Sequence, residues 1–210
     1  MSPLARTERA ALCDTALEVG PDRPTLCEGW TVKDLVVHLL VREGSPAAVG
    51  IQVAALAGLT ASVSRRVGRR DFPDLVERLR GGPPRLSPLA IPRLDALANT
   101  LEFFVHHEDI RRAQPGWAPR TLGADADRRL WLQVRPLGRR LVREAPAGVR
   151  IENAVTGSVA VLRQGDSPVT VRGLPGEVTL YLFGRTSQAS VELLGDAAAV
   201  ARLADASLGV

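Results

Sequence analysis

Cysteine is scarce in this 210-residue chain: Cys13 and Cys27 are the only two, and their spacing forms neither a zinc knuckle nor a dithiol redox pair. Both are read as reduced packing residues, with a catalytic thiol as the alternative, in a chain large enough to bury a core without a disulfide staple. Aromatic residues make up only 4% of the sequence, so the stacking platforms of single-stranded nucleic-acid binders are missing. Lysine is nearly absent, with Lys33 alone among 27 basic residues, and the net charge of +4 is carried by arginine. The cluster Arg65, Arg66, Arg69 and Arg70 lacks interleaved aromatics and is read as a solvated face; the basic balance suits a small anionic substrate better than nucleic acid. No run approaches the roughly 20 apolar residues that cross a bilayer, and the first residues lead into no signal-type apolar core. The expectation is a cytoplasmic protein with neither membrane nor nucleic acid among its partners.

What is present is an ordinary globular composition, 45% apolar and 24% charged, whose pattern changes along the chain. Apolar residues recur at helical spacing over 3–20, and Gly20-Pro21 ends that segment. A second helix starts at Thr31, with Asp34 completing an acidic capping box, and carries Leu35, His38 and Leu39. Residues 47–63, nearly all small and apolar, predict a buried bundle helix. A short helix over 74–80, a long one opened by Pro92 and ending near 114, and another over 124–143 complete the helical part. From about 146 the chain turns to short β-branched runs at 149–155, 158–164 and 169–172, which predict an antiparallel meander. The stretch 177–183 fits both periods; 191–194 reads as a last strand and 196–208 as a closing helix. The fold class expected is α+β, with a helical domain over 1–145 and a small mixed α/β domain over 146–210.

All three histidines fall in predicted helices. Glu102 and His106, four residues apart, stack on one helix face about a turn from each other, so a carboxylate and an imidazole can reach one ion. A third ligand must come from another helix, and His38 is the one histidine outside the Pro92 helix. Two imidazoles and a carboxylate suit Zn²⁺ with an open fourth position, or Fe²⁺, Ni²⁺, Mn²⁺ or another divalent ion with exchangeable waters. His107 lies about 100° further round the helix and is expected at the surface or behind the ligands. Asp109 shares the ligand face and can hold a ligand's free ring nitrogen or bind substrate; the alternative for Glu108, Asp109, Arg111 and Arg112 is a solvated helix end.

Two segments carry a resemblance, Thr25-Leu26-Cys27-Glu28-Gly29-Trp30-Thr31-Val32-Lys33-Asp34-Leu35-Val36-Val37-His38-Leu39 and Glu102-Phe103-Phe104-Val105-His106-His107-Glu108-Asp109-Ile110-Arg111-Arg112-Ala113. Together they resemble the mycothiol-dependent maleylpyruvate isomerase family, whose N-terminal domain is a DinB-like four-helix bundle. The resemblance implies that His38, Glu102 and His106 bind a divalent metal, usually zinc. The pattern from Pro175 to Arg185, then 191–196 and a short helix, is similar to the family's sterol-carrier-like second domain. It implies a helix over 177–183 and makes Arg185 the counterpart of an arginine needed for activity, against the alternative that Arg185 only caps a helix.

What the resemblance implies for function is a metal-dependent isomerase or S-transferase that pairs mycothiol, a small thiol, with a small electrophile. Bundles of this type commonly pair as homodimers. The rival reading is a non-catalytic metal- or ligand-binding regulatory protein of the same fold.

Overall fold

The structure, a computed structural model, describes residues 3–44, 57–83 and 92–209. The chain divides into two compact units, Met1–Ala118 and Pro119–Val210.

In the first unit the helices are α1 (Pro3–Val19), α2 (Val32–Gly44), α3 (Ala57–Val67), α4 (Phe72–Arg80) and α5 (Pro92–Arg112). Helix α1 packs along α5 and α4, and α2 along α4 and α3. The pairs Leu35 and Leu39 on α2, and Leu75 and Leu79 on α4, stand four residues apart and so share a face; all four are fully buried, with Leu12, Phe103 and Ile110 beside them. Each such side chain contributes about 2 kcal/mol by leaving water. The start of α2 is fixed by the reciprocal cap the sequence predicts: the Asp34 amide donates to Thr31 Oγ1 (3.2 Å) and the Thr31 amide to Asp34 Oδ2 (3.0 Å). The buried helix expected over 47–63 is corrected where it can be followed. Its described part belongs to α3, which leaves Leu59 53% exposed; its chain is mostly small or polar, with too little apolar surface to bury. Residues 47–56 lie outside the described residues.

The second unit contains α6 (Ala124–Leu141), β1 (Val149–Asn153), β2 (Val159–Arg163), β3 (Val169–Gly173), α7 (Pro175–Leu182), a 3₁₀ turn (Thr186–Gln188), β4 (Glu192–Leu194) and α8 (Ala197–Ala204). The unit boundary therefore falls at 118/119 rather than the expected 145/146. Helix α6 buries Trp131, Val134 and Leu141 in one cluster with Val149, Ile151, Val171 and Leu182, so it is part of the sheet's core and not of the helical bundle.

The strand order is β2-β1-β3-β4, and β3 runs parallel to β1, so the antiparallel meander expected over 149–172 is also corrected. Only β1–β2 and β3–β4 are antiparallel. After β2 the chain passes under the start of β1 and emerges on its far side, which requires a close backbone crossing. Gly148 and Gly165 make it: a Cβ on Gly165 would stand 2.8 Å from the Gly148 nitrogen, and one on Gly148 2.9 Å from the Gly165 oxygen. Strand propensity shows that a segment is extended but says nothing of which edge it joins. The stretch 177–182 is helical, opened by Pro175 in the first turn, and Phe183 caps its end.

Candidate metal centre

Helix α5 presents Glu102, His106 and Asp109 at intervals of four and three residues, one face of the helix. Helix α2 supplies His38 and, one turn on, Arg42. Between α1 and α2 the loop 20–31 is buttoned to the end of α5: the Leu26 amide donates to the Asp109 carbonyl (3.0 Å) and Gln114 Nε2 to the Pro24 carbonyl (3.0 Å). Gly29, at φ +74°, takes the left-handed turn that glycine tolerates best, immediately before Trp30. The loop thereby brings Cys27 and Trp30 to the histidines.

His106 Nε2 lies 3.2 Å and His38 Nε2 3.5 Å from Glu102 Oε1, and all three donor atoms fall within 4.8 Å of one another. The two imidazoles meet edge to face, centroids 5.4 Å apart, and Trp30 packs on His38 at 4.9 Å. Ligands about 2.1 Å from a tetrahedral ion stand about 3.4 Å from each other. The two separations to Glu102 bracket that figure, and the donor set of two imidazoles and one carboxylate suits a divalent cation, so these residues fit such an ion. Their side chains keep 12–21% exposure, which leaves the group reachable from outside.

Behind this group stands Asp109, fully buried, whose Oδ2 is 2.9 Å from His106 Nδ1. With an ion bound, that carboxylate would hold the proton on Nδ1 and leave the Nε2 lone pair facing Glu102 and His38, the carboxylate–histidine arrangement that orients metal ligands. Cys27 donates to the same Asp109 oxygen at 3.3 Å. On the other flank Arg42 Nε is 3.2 Å from Glu102 Oε1, and its guanidinium also donates to Asn99. Burial opposes ionisation of Glu102, but hydrogen bonds from His106 and His38 and the charges of His106 and Arg42 outweigh it and hold the carboxyl well below its usual range. Burial likewise opposes protonation of His106, and the Asp109, Cys27 and Glu102 partners reverse that, holding the imidazole well above its ordinary value.

Residues 3–87 match the family model described as the mycothiol maleylpyruvate isomerase N-terminal domain. That stretch of the chain belongs to this domain family. Among solved structures, two are similar: a crystal structure of the mycothiol-dependent maleylpyruvate isomerase and one of its histidine-to-alanine variant. Each aligns with a TM-score of 0.58 at 15% identity over 90% of both chains, a likeness of fold. No curated protein matches the chain significantly in sequence.

The matched domain contains His38, Cys27 and Trp30, while Glu102 and His106 come from α5 beyond residue 87. The fold is α+β, a helical N-terminal part followed by a small sheet unit as expected, and it matches that of the isomerase. The structure brings His38, Glu102 and His106 together and adds Asp109 at the free ring nitrogen. The solvated alternative for the end of α5 is overturned at Glu108, Asp109 and Arg112, all of which are buried, with Arg112 paired to Glu108. His107 is buried too, and turned away: its Nδ1 is 2.9 Å from Glu8 Oε2 and its Nε2 3.0 Å from Thr15 Oγ1, a clasp between α5 and α1. Arg185 lies in the second unit, just before the 3₁₀ turn, with its guanidinium donating to the Phe183 carbonyl. Arg42 was missed, although its position four residues after His38 was signal enough. Cys27, read as packing, is half-buried against Asp109 and His106.

Proposed function

We propose that this protein is a divalent-metal enzyme that uses mycothiol or a similar small thiol as nucleophile towards a small electrophile, in an isomerase or S-transferase reaction. The observation that carries the reading is the donor group itself: two imidazole nitrogens and one carboxylate oxygen at metal-compatible spacing, one imidazole oriented from behind by buried Asp109, and the group partly open. A structural zinc site would be expected to have a fourth protein donor closing it. Zinc is the ion this donor set suits best, with Ni²⁺, Fe²⁺ or Mn²⁺ as alternatives.

In this reading His38, Glu102 and His106 hold the ion, Asp109 fixes the His106 tautomer, and Arg42 keeps Glu102 ionised. A divalent cation there would supply Lewis acidity that lowers the pKa of an incoming thiol, so that a thiolate exists at neutral pH. Arg185 is assigned to a substrate carboxylate, which its planar fork can hold through two hydrogen bonds.

The test is elemental analysis of purified protein and of Glu102→Ala, followed by thiol titration of the cobalt-substituted form. Loss of metal in the variant and a thiol-dependent change in the cobalt spectrum of the parent are expected. Full metal occupancy in Glu102→Ala would refute the site; a cobalt spectrum indifferent to thiols would leave the non-catalytic metal-binding reading in its place.

A further inference from the structure

The hydrogen bonding around Glu102 continues past Arg42. The Arg42 Nη1 donates to Oδ1 of Asn99, a fully buried side chain three residues before Glu102 on α5. Asn99 Nδ2 donates in turn to Glu43 Oε1 at 2.8 Å, and Glu43 accepts from both terminal nitrogens of Arg9, at 2.6 and 2.5 Å. Arg9 is itself held by the Leu79 carbonyl of α4 at 2.9 Å and lies over the Phe103 ring, 4.3 Å from its centroid. The line Glu102, Arg42, Asn99, Glu43, Arg9 joins α5, α2 and α1 through side chains. Its last three members keep at most 4% exposure, so these contacts are shielded from competing water.

A guanidinium can only donate and an ionised carboxylate can only accept, so Arg42 on one side and Glu43 on the other fix which end of the Asn99 amide faces which. Charge explains why the middle member is neutral. Glu43 is already matched by the two-pronged grip of Arg9. Asn99 therefore gives Arg42 an acceptor without charge, and the charge of Arg42 is left for Glu102, whose Oε1 is 3.2 Å from its Nε. Fixing an arginine costs rotamer freedom, and the contact with Asn99 sets the planar fork in advance so that Nε is turned towards Glu102. Because a carboxylate offers about four lone-pair sites, Glu102 can take that hydrogen bond and still face an ion.

We infer that Asn99 is a positioning residue for the candidate metal centre: by anchoring Arg42 it fixes the rotamer of Glu102, so that this ligand is aimed by a side chain that is not itself a ligand. The inference rests on the proposed function for the ion that Glu102 would hold. It also gives the Arg9–Glu43 pair, which closes the line on α1, a share in metal affinity besides its share in stability.

Zinc affinity of the full-length protein, read by competition against a chromophoric chelator, tests it in a double-mutant cycle. Asn99→Leu removes both amide hydrogen bonds and should weaken zinc by about tenfold, the lower end of what the partners behind a metal ligand carry. In an Arg42→Gln background, which has already lost the anchored guanidinium, the same substitution should change zinc affinity by less than about twofold. Asn99→Ser, too short to span Arg42 and Glu43, should repeat the result if Asn99→Leu does not fold. Leu75→Ala opens the same bundle core away from this line and should destabilise the protein in urea while leaving zinc affinity as in the parent. Equal losses from the Asn99 substitution in the two backgrounds, parent-like zinc affinity in the folded Asn99 variants, or a Leu75→Ala variant that loses as much zinc affinity as they do would overturn the inference. A parent protein that binds no divalent ion would sink the proposed metal site as well; zinc bound by the parent with an additive cycle would sink the positioning role alone.

Discussion

Asp109→Asn tests the metal centre without touching a metal ligand. The side chain is fully buried, the substitution is nearly isosteric, and it replaces the anion that stands 2.9 Å from His106 Nδ1 and accepts from Cys27 with a neutral amide. That amide neither holds the Nδ1 proton as strongly nor raises the basicity of Nε2, and it can turn its own NH₂ towards the ring and favour the wrong tautomer. Carboxylates in this position are typically worth about 10–100-fold in metal affinity, or about 1.4–2.7 kcal/mol. Losing a ligand costs more: a structural zinc worth about 10–16 kcal/mol over four ligands gives about 3 kcal/mol each, on the order of 10²–10³-fold. The expected order of affinity is thus parent, then Asp109→Asn, then Glu102→Ala. Competition against a chromophoric zinc chelator reads all three, with circular dichroism confirming that each variant is folded. Parent-like zinc affinity in folded Asp109→Asn would refute the reasoning, because an imidazole that coordinates through Nε2 must feel the loss of its Nδ1 partner.

Two further outcomes follow from the same geometry. Since His106 is held above its ordinary value, its protonation stabilises the metal-free fold fully below about pH 6.5, and that contribution is lost as pH rises through the folded value; Glu102, held below its usual value, contributes fully above about pH 4.5 and loses this as pH falls through its folded value. Metal-free protein should accordingly melt higher at pH 6 than at pH 8.5, whereas zinc, which displaces that proton, should reverse the order; thermal melts that give the same ranking with and without chelator contradict this. In the bundle, Arg9 and Glu43 pair at 2.5 Å with both side chains nearly inaccessible, and Asn99 donates to the same carboxylate. Glu43→Leu strands a buried guanidinium and should cost about 3–5 kcal/mol in urea unfolding, much of it recovered in Arg9→Met/Glu43→Leu; a loss under about 1 kcal/mol in the single variant would show that the pair is not isolated from water.

The order and type of the helices were legible in the residues themselves, because helix signals are local. Thr31 and Asp34 cap α2, Pro92 opens α5, and apolar residues repeat every three or four positions. The pairing of Glu102 with His106 was legible for the same reason, since one turn of helix fixes their relation wherever that helix goes. His38 was reachable only by elimination and by resemblance, for nothing local states which helix will stand across from α5.

Tertiary structure alone decided the rest. Asp109 could be ligand partner or solvated end until the packing of the loop 20–31 over α5 buried it, and His107 found its partners Glu8 and Thr15 on a helix some ninety residues earlier. Helix α6 has the pattern of a bundle helix, yet its apolar face lies on the sheet, because an amphipathic stripe specifies burial and not the surface that provides it. The parallel placement of β3 beside β1 hung on two glycines whose meaning appears only when their backbones cross. Periodicity and capping act over one turn of chain and are written in neighbouring residues; the choice of partner is made by contacts between distant segments, and it is those contacts that assembled the candidate metal centre.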